Sequence, residues 1–107
     1  MGRIITNLPK DASYTYPDGF KRKGKVLKAT EPSYISSPHG DYACRIELMS
    51  FEDGPDKFVR FAYYRRPPEK RRDENGWNWA AQWTWSFDVK TTREQVERAT
   101  AMGLLDA

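Results

Sequence analysis

From Trp77 to Phe87 the chain alternates without a break. Trp77, Trp79, Ala81, Trp83, Trp85 and Phe87 fall on one side of an extended backbone, and Asn78, Ala80, Gln82, Thr84 and Ser86 fall on the other. A period of two cannot be laid on a helix, where residues of one face recur every three or four positions. The spacing predicts a strand over Trp77–Val89 and a sheet with a row of indoles on one face. Left open, that row would be a large apolar patch, so the same pattern calls for a cover.

Two other segments alternate in the same way. Asp41–Phe51 sets Tyr42, Cys44, Ile46 and Leu48 against Ala43, Arg45, Glu47 and Met49, and Lys57–Arg66 sets Val59, Phe61 and Tyr63 against Phe58, Arg60, Ala62, Tyr64 and Arg66. Glu52-Asp53-Gly54-Pro55-Asp56 between them suits a tight connection, so a hairpin is expected. Pro67 cannot donate to a central ladder, which stops the second strand at Arg66, and residues 67–76 read as a polar loop closed by Asn75-Gly76. Lys25–Thr30 is a shorter strand, after which Pro32, Pro38 and Gly40 bracket another polar loop.

The two ends read differently. Residues 1–23, with Pro9, Pro17, Asp18 and Gly19, form an irregular basic N-terminal arm in which Arg3–Thr6 offers a short edge strand. Near the C-terminus Thr91 and Thr92 stand three residues before Glu94 and Gln95, giving two overlapping capping boxes, and Gly103 offers a stop. A helix to about Met102 follows, with apolar residues few enough to approach a surface filled by indoles closely. The expected fold is α+β: an antiparallel β-meander of four to five strands with one C-terminal helix packed on the Trp-rich face, and residues 24–107 as a single domain. A length of 107 residues suits one core. This order of elements resembles the Whirly and transcriptional-coactivator single-strand-binding folds, in which strands precede a helix. None of their sequence motifs occurs, so the resemblance implies no family.

A formal net charge of +3 conceals strong segregation. Residues 20–28 carry Lys21, Arg22, Lys23, Lys25 and Lys28 with no acid, and residues 57–72 carry Lys57, Arg60, Arg65, Arg66, Lys70, Arg71 and Arg72 against Glu69 alone. Such segregation builds a positive face on a nearly neutral protein, and a positive face attracts phosphate. Phe20, Phe61, Tyr63 and Tyr64 are interleaved with these runs, and bases stack on exposed rings. With the indoles turned inward, Arg45, Glu47, Arg60, Tyr64 and Arg66 belong to a face left to solvent. The expected partner is therefore nucleic acid, single-stranded DNA or RNA. Lys21, Arg22, Lys23, Lys25, Lys28, Arg45, Arg60, Arg65, Arg66, Lys70, Arg71 and Arg72 would meet phosphate, and Tyr64 and Trp77 would stack.

Two other readings compete. Charged loops commonly protect strand edges from aggregation, which would leave a protein-interaction or structural module, including a homodimer paired through strand edges. Flat indoles also suit sugar rings.

Enzyme chemistry finds little purchase. His39 lies in a loop with no partner that sequence can name, and Cys44 sits on the apolar side of a strand, where thiols are inert. Glu52, Asp53 and Asp56 lack the ligand count of a calcium loop, and neither a phosphate-cradling glycine motif nor zinc-ligand spacing occurs. No catalysis, cofactor or metal is expected. Met1-Gly2 with Thr6 fits the myristoylation pattern, a match too permissive to weigh. There is no apolar run to span a bilayer and no secretory signal, so the expectation is a cytoplasmic protein without a membrane partner.

Overall fold

A computed structural model of the chain describes residues 7–66, 77–79 and 85–106. The expected Arg3–Thr6 strand, the loop at 67–76 with Lys70, Arg71 and Arg72, and residues 80–84 of the alternating row lie outside this set. The elements in chain order are β1 (Lys10–Thr15), β2 (Lys21–Ala29), β3 (Ser33–Ser37), β4 (Gly40–Phe51), β5 (Lys57–Arg66), β6 (Asn78–Trp79), α1 (Val89–Ala101) and a closing 3₁₀ turn at Leu104–Asp106.

All strand pairs are antiparallel, in the order β1-β2-β4-β5-β6. β4 is long enough to hold two partners end to end along one edge. β3 pairs with its first half (Ser33 opposite Cys44) and β2 with its second (Val26 opposite Met49). The expected α+β meander with a C-terminal helix is thus the fold observed, and its sheet is curled. Gly24 helps to allow this. A Cβ there would run into the Ser50 carbonyl oxygen of the neighbouring strand, so only glycine tolerates the approach.

The two faces of β4 meet different surroundings. Ile46 and Leu48 point to the outer face, where Ala99 of α1 and Leu104 close on them. A bulge between Val26 and Lys28 turns Leu27 towards the same cluster while Val26 stays on the inner face. Fully burying a Leu or Ile contributes roughly 1.5–3 kcal/mol, so this small cluster holds the helix down. Gln95, fully buried, adds a polar clamp: it accepts from Thr30 Oγ1 and donates through Nε2 to Glu31 O and Ser33 Oγ, both at 2.9 Å. Thr30 Oγ1 in turn accepts the Ile46 amide at 2.9 Å.

Four local expectations change. Residues 1–23 are not wholly irregular, because Pro17-Asp18-Gly19 turns a hairpin in which Lys10 pairs with Val26, and the expected boundary at residue 23 falls inside β2. The loop expected after Pro32 contains β3. The helix starts a turn earlier than the threonine boxes suggest, because Asp88 is the N-cap and accepts from the Thr91 amide at 3.3 Å. It stops, as expected, before Gly103, whose φ is +67°.

The fourth concerns the indoles, which do not share one face. Trp77 packs on the inner face against Tyr34 and the Ala43–Ala62–Tyr64 cluster. Trp85 lies on the outer face with Phe61 (5.5 Å between ring centroids) and Phe87 (5.0 Å), and its indole N–H donates to Thr92 of the helix at 3.0 Å. Residues 85–88 stand outside the sheet and lead into the cap, which frees them from the alternation that a continuous strand would impose.

Candidate nucleic-acid interface

The inner face divides into a sealed half and an open half. In the sealed half, register places Arg45, Glu47 and Asp41 beside Ala62, Arg60 and Arg66. Glu47 has no exposed surface and Arg45 only 2%. The Glu47 carboxylate accepts from Arg45 Nε at 2.7 Å, from Arg60 Nη2 at 2.6 Å and from the Tyr64 hydroxyl. Burial alone pushes this carboxyl up, but the Arg60 and Arg45 charges and the hydrogen bonds outweigh it and hold it below its ordinary value. Tyr64 is pushed up to about 12 by burial and by the Glu47 charge. Alongside, Arg66 donates to Asp41 at 2.9 Å, and its guanidinium lies 4.9 Å from the Trp77 ring centroid.

This placement corrects the expected exposure of the face. Arg45, Tyr64 and Arg66 are buried and mutually compensated, so they do not present themselves to a ligand. Burying a charge is tolerated only when it is paired and hydrogen-bonded; Arg45 and Glu47 meet that demand together, and Arg66 meets it through Asp41 alone, its Nε and Nη1 having no hydrogen-bond partner among the described residues.

The open half begins where β1 curls over towards β5. Lys10, Ala12 and Ser13 of β1, Lys21 and Val26 of β2, and Arg60 and Tyr64 of β5 line one cavity of about 210 Å³. Because β1 and β5 are not neighbours in the sheet, this shared lining places the cavity inside the curl. A second cavity of about 290 Å³ also includes Arg60 and continues along Tyr14, Tyr16, Arg22, Met49, Phe51 and Phe58. Sharing Arg60, the two meet as a trough, with lysines at one end and rings at the other. Of the cations in their described lining, Arg60 is paired with Glu47 and Arg22 with Asp53, which leaves Lys10 and Lys21 beside Asp11.

The β1–β2 hairpin builds the aromatic end. Its turn is closed by Gly19 N to Tyr16 O and Tyr16 N to Phe20 O, both 2.9 Å, with Asp18 Oδ1 accepting from Phe20 N, and Gly19 adopts φ +90°. The turn therefore groups Tyr14 with Tyr16 (5.0 Å, edge to face) and Tyr16 with Phe20 (6.0 Å, stacked). Opposite them Phe51 and Phe58 meet edge to face at 5.3 Å. The Arg22 guanidinium lies 4.1 Å from the Phe51 centroid and 4.9 Å from that of Phe58, and its Nε donates to both oxygens of Asp53. That hydrogen bond raises the Arg22 pKa and lowers that of Asp53. Arg22 is thereby a fixed plane among rings, with part of its charge answered. Tyr14 and Phe58 keep 41% and 40% of their surface exposed, which gives the trough accessible ring area.

The remaining predicted residues are scattered. Lys23, Lys25 and Lys28 are exposed along β2. Arg65 is half-buried and donates to His39 O at 2.8 Å. Cys44 is buried, its thiol pushed up to about 11 by desolvation, as the inert reading requires. Asp53, in the acidic turn that lacks the ligand count of a calcium loop, is the partner of Arg22, and no metal-holding group of acids, His or Cys exists among the described residues. No helix among them is long and apolar enough to cross a membrane.

Sequence reasoning missed Tyr14, Tyr16, Phe51 and Phe58. The signal was present in Tyr16-Pro17-Asp18-Gly19-Phe20, a turn sequence flanked by rings. No family model, curated protein or solved structure matches the chain.

Proposed function

We propose that this protein binds single-stranded DNA or RNA in the trough of its curled sheet and does so without catalysing a reaction. The observation that carries the reading is that an accessible aromatic cavity and a lysine-lined cavity meet at Arg60. Bases would stack on Tyr14, Tyr16 and Phe58, each ring contributing about 1–3 kcal/mol, while Lys10 and Lys21 meet the backbone. Sequence preference would be weak, because stacking accepts every base and the described lining holds few groups that read base edges.

The test is fluorescence anisotropy of a labelled oligothymidylate titrated with the protein at about 50 and about 200 mM salt, a range over which phosphate contacts lose affinity steeply. Binding that weakens sharply with salt supports the trough. Absence of binding at the lower salt removes the proposal and favours the second reading, a protein-interaction module. That reading draws on the exposed Phe61 of the outer face and is checked by sedimentation for self-association.

A further inference from the structure

A larger groove, of about 630 Å³, lies on the opposite side of the sheet from the trough and shares no described lining residue with it. It runs between β3, β4 and β5 and the first turn of α1, with Ile35, Tyr42, Tyr63, Phe87, Asp88 and Thr91 in its walls. Tyr63 and Phe87 stand 5.5 Å apart at 78°, so two ring planes meet nearly at a right angle. Tyr42 adds a third ring from the neighbouring strand. Asp88 supplies a carboxylate. Its Oδ1 accepts from the Thr91 amide, and that bond holds the carboxyl below its ordinary value, so it is ionised at neutral pH.

Among the described lining residues Asp88 carries the only formal charge. Arg65, beside Tyr42 across the ladder, is engaged by the His39 carbonyl. An anionic ligand would find no cation among the described residues of these walls. An organic cation would find a counter-charge beside three aromatic rings, the combination that recognises alkylated ammonium groups. We propose that this groove is a cage for a methylated ammonium head group, borne by a small quaternary amine or by a methylated lysine side chain. Tyr42, Tyr63 and Phe87 form its walls and Asp88 its counter-charge.

The test is calorimetric titration of the intact protein with choline, with a trimethyllysine peptide, and with 3,3-dimethylbutan-1-ol, which has the shape of choline without its charge. Choline or the peptide should bind at least about tenfold more tightly than the neutral isostere. Whichever of the two binds identifies the source of the head group. Asp88→Asn keeps a competent helix cap, so it should leave the helical circular-dichroism signal unchanged and weaken the cation about tenfold. Equal binding of the isostere, an unaltered affinity in Asp88→Asn, or no binding by either cation would overturn the proposal. The isostere comparison needs no variant and stands even if Asp88→Asn fails to fold. Oligonucleotide binding is read separately, since the trough lies elsewhere.

Discussion

The two halves of the inner sheet face carry the same kinds of residue and use them in opposite ways. Around Glu47 the arginines and the tyrosine are buried and directed at one carboxylate; around Arg22 the tyrosines and phenylalanines stand half open beside a guanidinium already held by Asp53. The difference is one of position in the curl. Residues in the middle of β4 have strands on both sides, whereas the β1–β2 hairpin and the β4–β5 turn end at solvent. A basic residue on an alternating strand is thus evidence for a face, and its place along the strand decides whether it binds or braces.

Breaking the sealed half should have the largest effect. Glu47→Gln leaves two arginines without their counter-charge and should destabilise the fold by about 3–5 kcal/mol, read as a lower denaturant midpoint. The same half sets the pH limits. The folded Glu47 pKa is depressed, so its contribution is present above the ordinary carboxyl value of 4.5 and is lost as pH falls through the folded value. The folded Tyr64 pKa is raised from 10.0 to about 12, so its contribution is present below pH 10 and is lost as pH rises towards 12. Thermal melts across pH should therefore fall off at both ends, and Tyr64→Phe should flatten the alkaline limb.

The open half should respond in binding and little in stability. Tyr14→Ala removes one exposed ring and should weaken oligonucleotide binding by about 1–3 kcal/mol, measured by anisotropy, with the melting temperature nearly unchanged. Lys21→Ala should have the smallest effect, reducing the slope of log affinity against log salt by about 1 if one phosphate contact is lost. A Tyr14→Ala protein that unfolds early, or a Glu47→Gln protein that is stable but binds poorly, would reverse the division between the halves.

The alternation of Asp41–Phe51 and Lys57–Arg66 made β4 and β5 legible, and with them the hairpin and the sheet. Gly103 marked the helix end. What the alternation could not supply was curvature, and curvature decides which side of Arg45 and Tyr64 meets water. The indole row misled for a related reason: residues 85–88 leave the sheet for the Asp88 cap, so Trp77 and Trp85 end on opposite faces despite their even spacing. Arg22 and Arg60 were legible as basic residues. Their aromatic neighbours were not, because Tyr14, Phe51 and Phe58 come together only through the β1–β2 and β4–β5 pairings.

The most direct test of the open trough is a map of amide and aromatic resonances of the isotopically labelled protein titrated with oligothymidylate. The account predicts shifts concentrated at Tyr14, Tyr16, Arg22, Phe58 and Arg60, with Ala99 and Leu104 unmoved. Shifts confined to the helix and the outer face, or no shifts at low salt, would contradict it.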